Sequence, residues 1–102
     1  MEKSDFAIII SAPSGTGKTT IIKELLKLDI FEFSVSTTTR PKRNNEVKDV
    51  SYYFVSEKEF IEMIKNSEFL EYAKVHDNYY GTTKKEIDRI FRVGKIPLLD
   101  ID

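Results

Sequence analysis

The sequence predicts an α/β fold, and three features near its start carry that reading. Phe6-Ala7-Ile8-Ile9-Ile10 is a continuous apolar run rich in β-formers, as a strand buried on both faces would be. Ser11 to Gly17 then collects two glycines, a proline and small hydroxyl residues, which end the strand. From Lys18 onward Ile21, Ile22, Leu25, Leu26 and Leu28 recur with a helical period opposite Lys23, Glu24 and Lys27. Strand, small-residue loop and helix in that order open an α/β unit.

Composition narrows the class further. The 102 residues carry 16 Lys plus Arg against 17 Asp plus Glu, a formal net charge of -1. That balance speaks against a protein held to nucleic acid by bulk charge. Apolar residues at 40% and charged residues at 32% suit one small globular domain. The sequence has no cysteine, so disulfides, thiolate zinc sites and a cysteine nucleophile are excluded. The longest apolar run is too short for a bilayer span or a signal peptide, and Met1-Glu2-Lys3-Ser4-Asp5 lacks a cationic leader. The expectation is a cytoplasmic protein with neither a membrane nor a nucleic acid as partner.

The remaining elements follow in order. Phe33 to Thr39 is rich in β-formers and reads as a second strand. Arg40-Pro41-Lys42-Arg43-Asn44-Asn45-Glu46 is a charged loop, with Pro41 disfavouring helix at Arg40. Ser51 to Val55 reads as a short strand. Ser56 and Glu59 fit a capping box ahead of a helix that buries Phe60, Ile61, Met63 and Ile64. Phe69 to Val75 alternates as a strand, and Tyr79-Tyr80-Gly81 reads as a turn. Thr83 and Glu86 repeat the capping pattern before Ile87, Ile90 and Phe91, with Gly94 as the helix stop. Pro97 opens a last apolar strand that runs to the end of the chain at Asp102. A strand ending there leaves the core incomplete, with an unpaired edge and uncovered apolar surface. The middle section is a small α+β insertion between two core strands.

The chemistry concentrates in Ala12-Pro13-Ser14-Gly15-Thr16-Gly17-Lys18-Thr19, followed by Thr20. This matches the phosphate-binding loop G-x-x-x-x-G-K-[ST] at every position but the first, where Ala12 stands. Gly15 and Gly17 can turn successive N–H groups toward an anion, and the helix opening at Lys18 adds its positive end. Lys18 would reach the β- and γ-phosphates of a nucleoside triphosphate, and Thr19 would offer its hydroxyl to Mg²⁺. The alternative is an ordinary glycine-rich strand-to-helix turn, which the apolar strand before it and the amphipathic helix after it, placed where the motif needs them, disfavour. Asp100, after the apolar run Ile96-Pro97-Leu98-Leu99, has the position of an acid that helps hold the metal, with Asp102 two residues on, about 7 Å away on the same strand face. Exposed carboxylates at a strand end remain an alternative for both.

Spacing alone says less about the middle section. Arg40 and Arg43 could grip a phosphate through planar guanidinium forks, and Tyr52 and Tyr80 offer phenolic donors. Glu71 interrupts an apolar stretch and could accept two N–H bonds from a purine edge. Taken singly, each is more readily a solvated loop charge or a half-buried strand residue.

Together these segments resemble guanylate kinase. Ser11 to Thr19, Ser34-Val35-Ser36-Thr37-Thr38-Thr39-Arg40-Pro41-Lys42-Arg43, Tyr53-Phe54-Val55-Ser56, Glu68-Phe69-Leu70-Glu71, Asn78-Tyr79-Tyr80-Gly81-Thr82 and Leu99-Asp100-Ile101-Asp102 occur in that family's order. The resemblance implies a P-loop NTPase-type parallel core over 1–35 and 95–102, and a nucleoside-monophosphate-binding insertion over 36–94. It implies ATP and GMP as substrates with Mg²⁺, and γ-phosphoryl transfer giving ADP and GDP in purine nucleotide metabolism. By the same resemblance Arg40, Arg43, Tyr52 and Tyr80 clamp the GMP phosphate, and Ser36, Glu71, Thr82 and Asp102 meet the guanine. Glu46 and Gly81 fall at further positions of the GMP site. Lys18, Arg40 and Arg43 would carry the catalytic charge, and Thr19 and Asp100 the metal.

The sequence departs from the family at Ala12 and Asn45, where glycine is usual, and at Ser51, where aspartate is common. It is also about half the usual length, without the arginine-bearing lid and the adenine-contacting segment, so the reading is of an N-terminal part whose phosphoryl transfer would be weak. Two other readings stay open: a kinase-like protein-binding module, which the complete Gly15, Gly17, Lys18 and Thr19 set disfavours, and a P-loop kinase for another nucleotide.

Overall fold

The computed structural model describes residues 6–11 and 17–101. The chain divides into two units, Met1–Ser34 with Ile87–Asp102, and Val35–Glu86. The sequence-based boundaries, 35/36 and 94/95, differ from these mainly at the second crossing. Glu86 is bound within the second unit, to Val35 and Tyr53, whereas Arg89 reaches Glu32 of the first at 3.3 Å.

The first unit holds a three-stranded parallel sheet of β1 (Ile8–Ile10), β2 (Phe31–Phe33) and β7 (Ile96–Asp100), ordered β1-β7-β2. The last strand is therefore the central one, paired on both sides, and not the open edge expected of it. That position explains its apolar sequence: Pro97, Leu98 and Leu99 are buried. Pro97 is tolerated because of register. Ile96 N–H donates toward β2 and Ile101 N–H toward β1, so alternation turns residue 97 toward β1. There β1 begins only at Ile8, opposite Leu98, and no ladder donor is required.

The edge strands are instead β1 and β2; β1 is shorter than the predicted Phe6–Ile10, with Ile9 57% exposed. Helix α1 (Lys18–Leu26) joins β1 to β2 and buries Ile22, while Ile21, Leu26 and Leu28 face outward. Its apolar stripe is thus narrower than the sequence period implied. Helix α3 (Lys84–Arg92) ends as predicted at Gly94, whose φ is 76°. Gly94 N–H donates to Phe91 O at 3.0 Å and Lys95 N–H to Ile90 O at 3.3 Å, the paired bonds of a Schellman cap.

The second unit is a four-stranded sheet ordered β4-β3-β6-β5, made of β3 (Thr37–Thr38), β4 (Tyr53–Phe54), β5 (Phe69–Val75) and β6 (Asn78–Thr83), with α2 (Glu57–Lys65). The β3–β4 pair is parallel, the others antiparallel. Ser56 and Glu59 form the predicted capping box. Phe60 of α2 is fully buried, with its ring stacked 4.4 Å from Phe69 and 5.1 Å from Tyr79.

Two expectations change here. The predicted strand Phe33–Thr39 is two strands, β2 and β3, in different sheets, because the chain passes between units after Ser34. Tyr79-Tyr80-Gly81 lies within β6 instead of a turn. The reversal falls at His76 and Asp77, both at positive φ, between the paired residues Val75 and Asn78. Asn45 is not among the positive-φ residues of the loop after β3; Asp49 is.

Candidate functional site

In the first unit, Gly17 caps α1 with φ 87°, and a Cβ there would meet nothing within 4 Å among the described residues. Glycine is needed for its backbone angle and not for space. The turn it opens carries Lys18, Thr19 and Thr20. Lys18 Nζ pairs with Asp100 Oδ1 at 2.8 Å, the side chains being 11% and 35% exposed. The pairing Ile10↔Asp100 brings that carboxylate to the end of β1, across from the start of the helix. A hydroxyl at Thr19 and a carboxylate at Asp100 are hard oxygen donors, the kind Mg²⁺ takes alongside substrate phosphates. Ala12, Pro13, Ser14, Gly15, Thr16 and Asp102 lie outside the described residues.

In the second unit the sheet sorts side chains between two faces. Tyr80 and Thr82 alternate with Tyr79, Gly81 and Thr83 along β6. Thr38 pairs with Tyr80 and Glu71 with Thr82, which puts Glu71 on the Tyr80 face. Ser36, half-buried, extends β3 by accepting Tyr53 N–H through its carbonyl at 2.9 Å. The opposite face, with Gly81, packs on Phe60 and Phe69.

Arg40 leaves the end of β3 and is held on several sides. Its Nη1 and Nη2 donate to Glu46 Oε1 and Oε2 at 3.0 and 2.6 Å, and Nη1 also to Pro41 O at 3.1 Å. Arg43 N–H adds a bond to Glu46 Oε1 at 2.9 Å. The Arg40 guanidinium lies 5.2 Å from the centre of the Tyr52 ring, and Tyr52 meets Tyr80 edge-on at 6.2 Å. Hydrogen bonding from Arg40, then from the Arg43 backbone, lowers the Glu46 carboxyl to about 2. Reciprocally, the Glu46 hydrogen bond raises Arg40 above its ordinary value, with Tyr80 and Tyr52 adding to the effect. A permanently charged guanidinium beside two phenols can bind a phosphate dianion. The Arg43 guanidinium is exposed and forms no ion pair among the described residues.

Of the predicted residues, the structure gathers Arg40, Glu46, Tyr52 and Tyr80, pairs Glu71 with Thr82, and joins Lys18 to Asp100. It turns Gly81 to the other face. Sequence reasoning missed Thr38. This fully buried residue donates from Oγ1 to Tyr79 O at 2.8 Å and accepts Arg40 N–H at 3.1 Å, while Thr39 Oγ1 accepts Tyr79 N–H at 2.9 Å. The threonine run that signalled a strand was the available clue.

The sequence model of the family described as Guanylate kinase matches residues 4–102. The chain belongs to the guanylate kinase family. The guanylate kinase of Clostridium tetani is 53% identical over 102 residues, covering 100% of this chain and 49% of that protein. That of Rickettsia felis is 49% identical over 96 residues, covering 93% of this chain and 50% of its own length. The crystal structure of guanylate kinase from Anaplasma phagocytophilum matches with a TM-score of 0.77 at 33% identity, over 99% of this chain and 50% of that one. The fold is accordingly of the P-loop NTPase type, its core the parallel sheet of the first unit. The chain spans about half the length of the curated relatives it matches. Among the described residues no helix is long and apolar enough to cross a membrane.

Proposed function

We propose that this chain acts in ATP:GMP phosphoryl transfer, binding GMP on the Tyr80 face of the second unit and the ATP phosphates at the start of α1. The observation that carries the reading is Arg40, fixed by both oxygens of Glu46 and set against Tyr52 and Tyr80. Arg40, Arg43, Tyr52 and Tyr80 hold the GMP phosphate. Ser36, Glu71, Thr82 and Asp102 meet guanine, Glu71 accepting from N1–H and the 2-amino group. Adenine has no donor at N1, so its ring would leave that carboxylate unpaired.

Lys18 lies against the β- and γ-phosphates of ATP within the loop Ala12–Thr19, with Thr20 following. Thr19 and Asp100 would hold Mg²⁺, which supplies charge neutralisation on the phosphate oxygens when bound. A GMP phosphate oxygen attacks the γ-phosphorus; the bond to the β–γ bridging oxygen breaks and ADP leaves with that electron pair. Lys18 and Arg40 offset charge on the reacting phosphates. The reaction belongs to purine nucleotide metabolism in the cytoplasm.

The test is a calorimetric titration of the protein with GMP and with AMP, followed by a coupled ADP-release assay with Mg²⁺-ATP. Binding of GMP in preference to AMP, and ADP release that depends on GMP, are expected. Equal binding of the two nucleotides would remove the guanine assignment.

A further inference from the structure

We infer that Gly81 and the one-residue bulge at Leu70 form a spacing device that sets the position of Glu71, and through it the preference for guanine over adenine. The inference rests on the base-reading role proposed above for Glu71. Neither Gly81 nor Phe69 touches the nucleotide in this account; both are positioning residues.

The β5–β6 ladder is regular from Val75↔Asn78 to Glu71↔Thr82, and then slips: Thr83 faces Phe69, not Leu70. In a regular strand Phe69 and Glu71 would share a face. The extra residue reverses the parity. Phe69 joins Tyr72 on the Phe60 face, with the Phe69 and Tyr72 rings 5.8 Å apart, while Glu71 stays on the Tyr80 face. Leu70 is displaced outward, 56% exposed. The segment Phe69-Leu70-Glu71-Tyr72 can thus supply two core rings and one site carboxylate.

Gly81 completes the device from the partner strand. A Cβ at Gly81 would lie 2.7 Å from Cδ1 and 2.8 Å from Cε1 of Phe69, and 3.1 Å from the carbonyl oxygen of Glu71. Gly81 is not among the glycines at positive φ, so its backbone would accept a side chain. What glycine provides here is room. The Phe69 ring cannot retreat, because it is buried and stacked on Phe60. A methyl group at position 81 must therefore push β5 away from β6, and the first backbone atom it meets belongs to Glu71.

Two parallel hydrogen bonds to a guanine edge tolerate only small displacements of the carboxylate. The phosphate, common to GMP and AMP, is assigned above to Arg40, Arg43, Tyr52 and Tyr80 and not to Glu71. Moving Glu71 therefore weakens GMP alone.

The test is calorimetric titration of GMP and AMP into the wild-type protein, Gly81→Ala, Phe69→Leu and the double variant. Gly81→Ala is expected to lower the GMP:AMP affinity ratio about tenfold with AMP binding unchanged. The double variant, which removes ring atoms where the methyl is added, should recover most of the ratio. A purely structural defect would lower both affinities by the same factor, since only the folded fraction binds. An unchanged ratio in Gly81→Ala, or no recovery in the double variant, overturns the inference. If Gly81→Ala shows no cooperative thermal transition, the decision passes to Phe69→Leu, where thinning the spacer should lower the ratio several-fold and an unchanged ratio overturns. Wild-type protein that binds GMP and AMP alike would overturn the base-reading role itself, a separate failure visible before any variant is made.

Discussion

Glu86 accepts the backbone N–H of Val35 through Oε2 at 2.8 Å, across 51 residues of sequence. These are the last and first residues of the second unit, so one buried carboxylate ties together both ends of that unit. Its other oxygen accepts the Tyr53 hydroxyl at 2.8 Å, and its own N–H is capped by Thr83 Oγ1 at 3.0 Å. Glu86→Ala removes the acceptor of a buried N–H and of a phenol hydroxyl, at a cost of about 2–3 kcal/mol. Glu86→Gln keeps an acceptor for Val35 and should cost less. Urea denaturation midpoints at constant m-value measure both, and equal losses would contradict this account.

Glu46 offers a pH test. Its carboxyl falls from an ordinary 4.5 to about 2, because Arg40 and then Arg43 donate to it. A depressed carboxyl contributes stability that is complete above 4.5 and is lost as pH falls through about 2. The difference in melting temperature between wild type and Glu46→Gln should stay constant from pH 7 to 5, then narrow between about 4.5 and 2. Glu46→Gln should also weaken GMP and AMP together, since it loosens Arg40 and not the base contacts.

Ser34 Oγ is buried, on a residue 2% exposed, and has no hydrogen-bond partner among the described residues. Ser34→Ala removes an unpaired hydroxyl and should raise stability by about 1 kcal/mol, read as a higher melting temperature. A fall of that size would show that the hydroxyl is satisfied in solution.

His76 and Asp77 hold positive φ without being glycine. Replacing His76-Asp77 by Asn-Gly supplies the residues that a two-residue hairpin turn with this twist favours. A gain of about 0.5–1 kcal/mol is expected from thermal unfolding, with GMP affinity unchanged.

The Lys18–Asp100 pair predicts opposite effects with and without metal. Asp100→Asn removes a negative charge beside Lys18 and the ATP phosphates, so ATP should bind more tightly than in wild type when Mg²⁺ is absent. The tightening that Mg²⁺ gives wild type should shrink. Titration with a fluorescent ATP analogue, with and without Mg²⁺, decides it.

Local signals in the sequence survived into the structure. The Ser56–Glu59 box and the Gly94 stop involve neighbours within a few residues, where the chain's own chemistry decides geometry. Phe69–Val75 was legible because its β-formers alternate, but its bulge was not, since the slip exists only against β6. The division of Phe33–Thr39 between two sheets depends on β7 and β6, far away in sequence. The turn at His76 was hidden because no glycine marks it. In the site, Arg40, Tyr52 and Tyr80 stood out by residue type. Glu46 as their anchor, and Thr38 as the bridge from Arg40 N–H to Tyr79 O, needed coordinates.

The placement of β7 at the centre of its sheet bears on how the chain acquires structure during synthesis. Strands β1 and β2 leave the ribosome before the second unit, yet neither pairs with the other, and both wait for residues that follow that whole unit. The second unit is one contiguous stretch with hairpin pairing and can close on its own contacts as soon as it emerges. Order should spread outward from the second unit, with β1 and β2 settling after it.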